Sequence, residues 1–126
     1  MSKKPMRLRR SQLAVPGVRE KMLTKAAASA AAHVFCDLED AVAPSAKAGA
    51  RDTIADALNN LDWGNTVRCV RVNDVGTEWC YEDIISVVEK AGKNLDTIML
   101  PKPMNAGDVQ FADKLLNQLE MKLGLE

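Results

Sequence analysis

His33-Val34-Phe35-Cys36-Asp37-Leu38-Glu39-Asp40 is a short apolar run that ends in three carboxylates. A second run of this kind, residues 66–72 (TVRCVRV), is rich in β-branched residues and lies between Gly64-Asn65 and Asn73-Asp74. Short apolar runs bounded by turn residues are typical of strands that are covered on both faces, as in parallel sheets. The two runs therefore predict neighbouring parallel strands, and their polar ends mark where the chain leaves the sheet.

Two further strands are predicted on either side. Residues 12–15 stop at Pro16-Gly17, and residues 96–100 stop at Pro101-Lys102-Pro103, both strong turn signals. Apolar residues at helical spacing and favourable composition predict helices over residues 19–32, 45–61, 78–91 and 106–122. Ser45 is the expected N-cap of the second helix and Gly92 the residue that closes the third.

Strands and helices alternate at about 30 residues per unit, which predicts parallel βαβ units with right-handed crossovers. Two architectures fit four such units. One is an open doubly wound sheet, and the other is half of a (β/α)₈ barrel, whose full length is about 250 residues. We expect residues 1–10 to form a basic, solvated N-terminal tail and residues 11–126 to form the α/β domain.

The composition excludes several classes of function. Among 126 residues, 17 basic residues balance 17 acidic ones, so no global charge indicates a nucleic-acid or membrane partner. No run approaches the roughly 18 apolar residues of a membrane span, and no signal peptide is expected. The chain has three widely spaced cysteines without a CxxC pair, which is typical of a reducing cytoplasm. We therefore expect a cytoplasmic protein, with Cys36 and Cys69 as core thiols.

Polar residues cluster where the predicted strands end, which is where parallel α/β folds carry their sites. Asp37, Glu39 and Asp40 form the densest cluster. Three carboxylates so close together repel one another unless a cation lies nearby. They could bind a metal, supply a general base or orient cationic side chains, or they could only cap the loop that follows.

Arg71 is the strongest single candidate for a functional residue. It shares one strand face with Val67 and Cys69, so it extends an apolar row to the end of the sheet. Its planar fork suits a carboxylate or a thioester oxygen. An ion pair with the acidic cluster is the structural alternative, and the two roles are compatible. Arg68 has the opposite parity and is expected to meet helices or solvent.

Three further cations are candidates. Arg19 and Lys25 are expected at the start of the first helix, where an anion would be favoured. Lys102 lies between two prolines and could face the same end of the sheet. His33 begins a strand instead of ending one and is interpreted as structural.

The ordered motifs resemble the citrate-lyase β-subunit-like members of the HpcH/HpaI aldolase superfamily, over nearly the whole chain. Residues 61–64 (LDWG) and 95–102 (LDTIMLPK) are most similar to the malyl-CoA/β-methylmalyl-CoA lyase branch. The other motifs that carry the resemblance are RSQL at 10–13 with Pro16-Gly17 and Arg19, DLEDAV at 37–42 with Pro44, Lys47 and Ala50-Arg51, and VRVN at 70–73.

The resemblance implies the N-terminal half of a (β/α)₈ TIM barrel and a Mg²⁺-dependent carbon–carbon lyase. Such enzymes reversibly cleave malyl-CoA or β-methylmalyl-CoA into glyoxylate and an acyl-CoA. It implies that Arg71 binds the oxoacid at the reacting centre and that Arg19 and Lys25 help to hold CoA. Supporting roles next to these cations are implied for Asp37, Glu39, Asp40 and Lys102. The family's acidic metal ligands are expected downstream of Glu126, so none is expected here.

The resemblance also limits the prediction. Ala14 stands where malyl-CoA lyases often carry an aromatic residue, so the acyl specificity is left open. The chain alone is expected to be inactive and to need a complementing C-terminal half, and a full-length parent is expected to be a homo-oligomer.

Other functions remain open at the level of sequence. They are citryl-CoA lyase, malyl-CoA thioesterase and a non-catalytic CoA-binding partner subunit. A response-regulator receiver domain is a distant alternative, because its acidic pair should follow strand one, where Val15-Pro16-Gly17 stands.

Overall fold

The computed structural model describes residues 6–125, in which strands and helices alternate as expected. The strands are β1 (Gln12–Pro16), β2 (His33–Asp37), β3 (Val67–Arg71) and β4 (Thr97–Met99). The helices are α1 (Glu20–Ala27), α2 (Lys47–Asn60), α3 (Cys80–Ala91) and α4 (Ala106–Leu123). Short 3₁₀ turns at Pro44–Ala46 and Gly92–Asn94 lead into α2 and out of α3.

All four strands are parallel and lie in sequence order, β1-β2-β3-β4. A doubly wound sheet reverses its strand order at a switch point, and no reversal occurs within the described residues. The open doubly wound alternative and the receiver domain, which has that topology, are therefore wrong. The arrangement is that of four consecutive βα units, the N-terminal half of a (β/α)₈ TIM barrel.

The hydrophobic core lies between the sheet and the helices. Val15, Cys36 and Val70 occupy one row across the first three strands and pack in one buried cluster with Ile54 of α2 and Ile84 of α3. Register partners in a parallel sheet share a face, so the intervening residues form the opposite face. That face carries the partly exposed side chains of Phe35, Thr97 and Met99. In a complete barrel this second face is the interior.

Helix α1 ends at Ala27, five residues before the predicted end. The Ser29 hydroxyl donates to the Ala26 carbonyl at 2.7 Å, and the Ser29 N–H donates to the same oxygen at 3.1 Å. A further helical turn would need that oxygen for residue 30. Serine side chains compete with helical hydrogen bonds in this way, and the prediction for residues 28–32 was wrong for that reason.

The structure also differs from the prediction at two helix caps. Ser45 lies inside the 3₁₀ turn, and α2 begins at Lys47 without a side-chain cap. Gly92 does end α3, but with a φ of −57°, outside the left-handed region. A Cβ at Gly92 would come within 2.6 Å of Leu125 Cδ1, so a larger residue here would require the Leu125 side chain to shift. The left-handed C-cap is Gly124, after α4, with a φ of 66°.

Gly17 joins the turn after β1 to the end of β2. Its N–H donates to the Asp37 carbonyl oxygen at 2.9 Å. A Cβ at this position would lie 2.9 Å from that oxygen and 2.7 Å from Ile54 Cδ1. Only glycine allows the two backbone segments to approach so closely.

The N-terminal segment is not wholly a solvated tail. Arg7 Nη2 lies 2.7 Å from Asp96 Oδ1, and Arg7 Nη1 donates to the Asn65 carbonyl at 3.3 Å. These contacts tie the segment to the amino ends of β3 and β4. Arg9 and Arg10 are exposed as expected, whereas Lys3 and Lys4 lie outside the described residues.

The cysteines behave as core residues. Cys36, Cys69 and Cys80 are buried free thiols, which confirms the prediction for the first two. Burial raises the pKa of Cys36 to about 12, with a smaller contribution from Cys69. Over residues 6–125, no helix combines the length and apolarity that crossing a membrane would require.

Candidate functional site

The carboxyl ends of β2, β3 and β4 bring four of the predicted site residues together. Asp37 ends β2, Arg71 ends β3, and Lys102 follows β4 within three residues. Glu39 lies in the loop after β2 and contacts both cations. We call this group of four side chains the rim cluster. Parallel strands in sequence order place these ends side by side, which explains the convergence.

Arg71 is fixed by a bidentate ion pair. Its Nε and Nη2 donate to Oδ1 and Oδ2 of Asp37, both at 2.8 Å. Its guanidinium also lies 5.4 Å from the centre of the Phe35 ring, on the inner face of the sheet. No hydrogen bond from Nη1 to a described residue is found, and the side chain is 25% exposed. One edge of the guanidinium is thus anchored, and the other edge is available to a ligand.

Asp37 also organises the loop that follows it. Its Oδ1 accepts from the Glu39 N–H at 2.9 Å and its Oδ2 from the Ala41 N–H at 3.0 Å. Burial raises the pKa of Asp37, but the hydrogen bonds from Arg71 and these two N–H groups outweigh it, so the pKa lies below its usual range. The bond to Asp37 likewise raises the pKa of Arg71. The pair is therefore ionised at neutral pH.

Acid is expected to destabilise the protein partly through Asp37. Because its folded-state pKa is lowered, its stabilising contribution is complete above the unfolded value of about 3.9 and is lost as pH falls through the folded value. The free energy of unfolding of Asp37→Asn should therefore fall less than that of the wild type as the pH is lowered below about 4. Urea unfolding at several pH values measures this difference, and parallel profiles would contradict it.

Lys102 bridges the acidic loop and β4. Its Nζ lies 2.8 Å from Glu39 Oε2 and 3.4 Å from Asp40 Oδ1. These pairs raise the pKa of Lys102, the bond to Glu39 contributing most. Its φ of 47° lies in the left-handed region, which is uncommon for a residue with a side chain. The backbone strain is tolerated at a position where the ammonium reaches two carboxylates.

The acidic residues orient cations and do not fit a metal ion. Asp37 uses both oxygens for Arg71 and the loop, and Glu39 pairs with Lys102 through Oε2, whereas its buried Oε1 has no hydrogen-bond partner among the described residues. Within residues 6–125, no group of three histidine, cysteine or acidic side chains could hold a metal. Mg²⁺ prefers several oxygen ligands in a nearly octahedral arrangement, which the rim cluster does not offer.

Arg19 and Lys25 do not share a helix N-terminus. Arg19 is the N-cap residue of α1, as the Pro-Gly turn suggested, but Lys25 lies in the last turn of this short helix. Six residues along a helix correspond to about 9 Å. Both side chains are exposed, but six residues at about 100° each place them about 120° apart around the helix axis, so they do not form one anion site.

A buried polar network lies behind the rim cluster, and it was missed as a candidate site. It joins α2 to the ends of β2 and β3 and to α3, and its members are Lys47, Arg51, Asn73 and Asp83. A signal was present, because Lys47 and Arg51 fall at helical spacing with Ile54 and Leu58 on the buried face of α2. Cations on an apolar stripe predict buried partners.

Comparison with known proteins agrees with these motifs. A family model described as HpcH/HpaI aldolase/citrate lyase matches residues 10–126. The chain is 45% identical over 120 residues to an L-malyl-CoA/beta-methylmalyl-CoA lyase of Cereibacter sphaeroides, a match that covers 95% of this chain and 38% of that protein. It is 42% identical to a (3S)-malyl-CoA thioesterase of the same species, over 85% of this chain and 36% of that one.

The chain is also similar to solved structures. The citrate lyase beta subunit from M. tuberculosis, complexed with oxaloacetate and magnesium, has a TM-score of 0.67 and 35% identity, over 82% of this chain and 44% of that one. A Haloferax volcanii malate synthase has a TM-score of 0.80 at 19% identity, over 92% of this chain and 38% of that one, a likeness of fold alone. The chain thus spans less than half the length of each of these relatives. With the family model matched over nearly its whole length, the chain belongs to the HpcH/HpaI aldolase/citrate lyase family.

Proposed function

We propose that these four βα units supply the oxoacid- and CoA-binding part of a lyase site that cleaves malyl-CoA-type 3-hydroxyacyl-CoA esters into glyoxylate and an acyl-CoA. The observation that carries the proposal is Arg71, held at the strand ends with one guanidinium edge on Asp37 and the other unpartnered by described residues. The 45% identity to a malyl-CoA/beta-methylmalyl-CoA lyase supports the choice of substrate.

Arg71 would act on the oxoacid portion of the substrate. In the cleavage direction, the hydroxyl group would pass its proton to a base outside the described residues and become the aldehyde of glyoxylate, while the adjacent carbon–carbon bond breaks. The electron pair stays on the acyl-CoA carbon as an enolate, which a proton then quenches. A fixed guanidinium beside the forming carbonyl oxygen stabilises the charge that develops there, and it binds the carboxylate by the same fork.

The acidic loop would keep that guanidinium in place. Asp37 holds two of its nitrogens, and Glu39 Oε1 lies 3.7 Å from Arg71 Nε. Glu39 and Asp40 also retain Lys102, which adds a second positive charge at the same edge. An anionic substrate would therefore meet two oriented cations, Arg71 and Lys102. Each of them is held by a carboxylate of the acidic loop. Magnesium, present in solved relatives, would need ligands outside the described residues.

Arg19 and Lys25 would bind the CoA portion. They are exposed cations at opposite ends of α1, the helix that follows β1, and positive charges of this kind bind phosphate groups. We expect Arg19→Ala and Lys25→Ala each to raise KM for the CoA ester about two- to tenfold, with less effect at high salt. Steady-state kinetics at two salt concentrations measure this effect, and Lys122→Ala on α4 is the matched control. Unchanged KM values would contradict the assignment.

An incompletely covered sheet supports the proposal that a partner is required for activity. Its inner face leaves Phe35 and Met99 partly exposed, and the outer edges of β1 and β4 have no neighbouring strand among residues 6–125. Unpaired edges and apolar surface favour association. We propose that further βα units, from a complementing half or a second subunit, cover this face, and that the 126-residue chain alone is inactive.

The test combines binding with turnover. Glyoxylate added to the ¹⁵N-labelled chain should shift the Arg71 Nε–H resonance and leave that of Arg68 unchanged. Turnover of malyl-CoA should appear only when a C-terminal half from a lyase relative and Mg²⁺ are present. Absence of any Arg71 shift at saturating glyoxylate, together with no turnover in the complemented protein, would refute the proposal.

A thioesterase is the second candidate, because a (3S)-malyl-CoA thioesterase is 42% identical over 85% of this chain. The same cations could hold the same substrate while water attacks the thioester. The products separate the two functions. A lyase releases glyoxylate and an acyl-CoA, whereas a thioesterase releases malate and free CoA thiol, which a thiol reagent detects.

A further inference from the structure

Lys47 is a buried lysine that contacts the loop of the rim cluster. Its side chain is 5% exposed, and its Nζ donates to the carbonyl oxygens of Leu38 at 2.9 Å and Glu39 at 3.0 Å. The third donor reaches Asn73 Oδ1 at 2.6 Å. The ammonium also lies 5.1 Å from the centre of the Trp79 ring. Within residues 6–125 it has no ion pair, so its three protons are used to hold neutral oxygens.

Asn73 connects this ammonium to a second pair of charges. Its Nδ2 and its backbone N–H donate to Asp83 Oδ2 at 2.6 Å and 2.8 Å. The other oxygen of Asp83 accepts from Arg51 Nε at 2.7 Å. Asn73 and Asp83 are buried, and their side-chain polar atoms all have partners. A satisfied buried network of this kind specifies one arrangement of the elements that it joins.

The loop after β2 is consequently fixed on several sides. The Leu38 N–H donates to the Arg71 carbonyl at 2.9 Å, and Lys47 holds the next two carbonyls along the chain. These peptide groups lie between Asp37 and the residues after Glu39, so they set where both carboxylates stand. Without Lys47, two buried carbonyl oxygens would lose their donor, and the loop would find new positions in which water satisfies them.

We propose that Lys47 is a positioning residue of the site: through the Leu38 and Glu39 carbonyls it holds Asp37 and Glu39 against Arg71. The inference rests on the proposed role of Arg71 but concerns a residue that no substrate would touch. Burial of an ammonium group is costly, and a methionine of similar length would fill the same space. The lysine adds donors where the loops after β2 and β3 meet.

Hydrogen exchange in the full 126-residue chain tests this role. In Lys47→Met, the Glu39 and Ala41 amides and the Arg71 Nε–H should exchange about tenfold faster, while core amides such as that of Val70 keep their rates. Lys122→Met, which removes an exposed lysine paired with Glu89, is the matched control and should change none of them. Equal acceleration at all amides, or none at the loop, would overturn the proposal.

A measurement on the wild type covers the case in which Lys47→Met fails to fold. An ammonium with three protein acceptors should give a slowly exchanging Nζ signal at neutral pH, whereas solvated lysines give none. Absence of that signal would also overturn the proposal. Glyoxylate binding is a separate outcome. If loop exchange responds to Lys47→Met but glyoxylate does not shift Arg71 in the wild type, the positioning role stands and the proposed function fails.

Discussion

Replacing Arg71 with lysine is expected to lower kcat/KM for malyl-CoA cleavage by about two to three orders of magnitude in the complemented protein. Lysine keeps the charge but has no planar fork, so it cannot grip Asp37 with two nitrogens and present a second edge to the substrate. The transition-state oxyanion would then lose its oriented donor. Steady-state kinetics with malyl-CoA, monitored by glyoxylate release, give the ratio.

Arg68→Lys is the matched control for this substitution. Arg68 lies on the same strand with the opposite parity, and its Nε is 3.4 Å from Asp96 Oδ2, away from the rim cluster. We expect the kcat/KM of Arg68→Lys to stay within about threefold of the wild-type value, because a partly exposed ion pair contributes little to stability. A similar loss in both variants would mean that the effect arises from stability and that Arg71 has no special role.

Truncating Asp83 to alanine is expected to lower the free energy of unfolding by about 3–5 kcal/mol. The carboxylate is fully buried and accepts hydrogen bonds from Arg51 and from two nitrogens of Asn73. Its removal leaves a buried guanidinium and buried N–H groups without an acceptor. Urea unfolding followed by circular dichroism measures the change.

Glu82 is the matched control because it contacts the same arginine from the surface. Its carboxylate lies 3.1 Å from Arg51 Nη1, but its side chain is 57% exposed. We expect Glu82→Ala to cost less than about 1 kcal/mol. Equal losses for the two substitutions would show that burial does not determine the strength of these ion pairs.

The order of strands and helices could be predicted because each βα unit has a recognisable pattern in its own stretch of sequence. The apolar runs around Cys36 and Val70 end at turn residues, and the helices between them have the correct period. The sequential strand order was open at the level of spacing, because a doubly wound sheet needs the same local units. The errors in the predicted helix ends came from single hydrogen bonds, such as that of the Ser29 hydroxyl. The apolar periodicity of the sequence does not encode such bonds.

The site divides in a similar way. Strand parity and adjacency were enough to place Arg71 beside the acidic residues, and an ion pair with the acidic cluster was one of the predicted roles. The buried network was missed because it depends on the face of α2 that lies over the strand ends, a tertiary property. Lys25 was placed at the wrong end of α1 because the helix is shorter than its composition suggests.

The tight contact between Gly17 and the Asp37 carbonyl has a consequence for how tolerance to mutation should be distributed along the chain. Position 17 has no functional group, yet any side chain there would push on the backbone that carries the counter-ion of Arg71. A deep mutational scan should therefore score this glycine among the catalytic positions, while its exposed neighbour Val18 accepts most replacements.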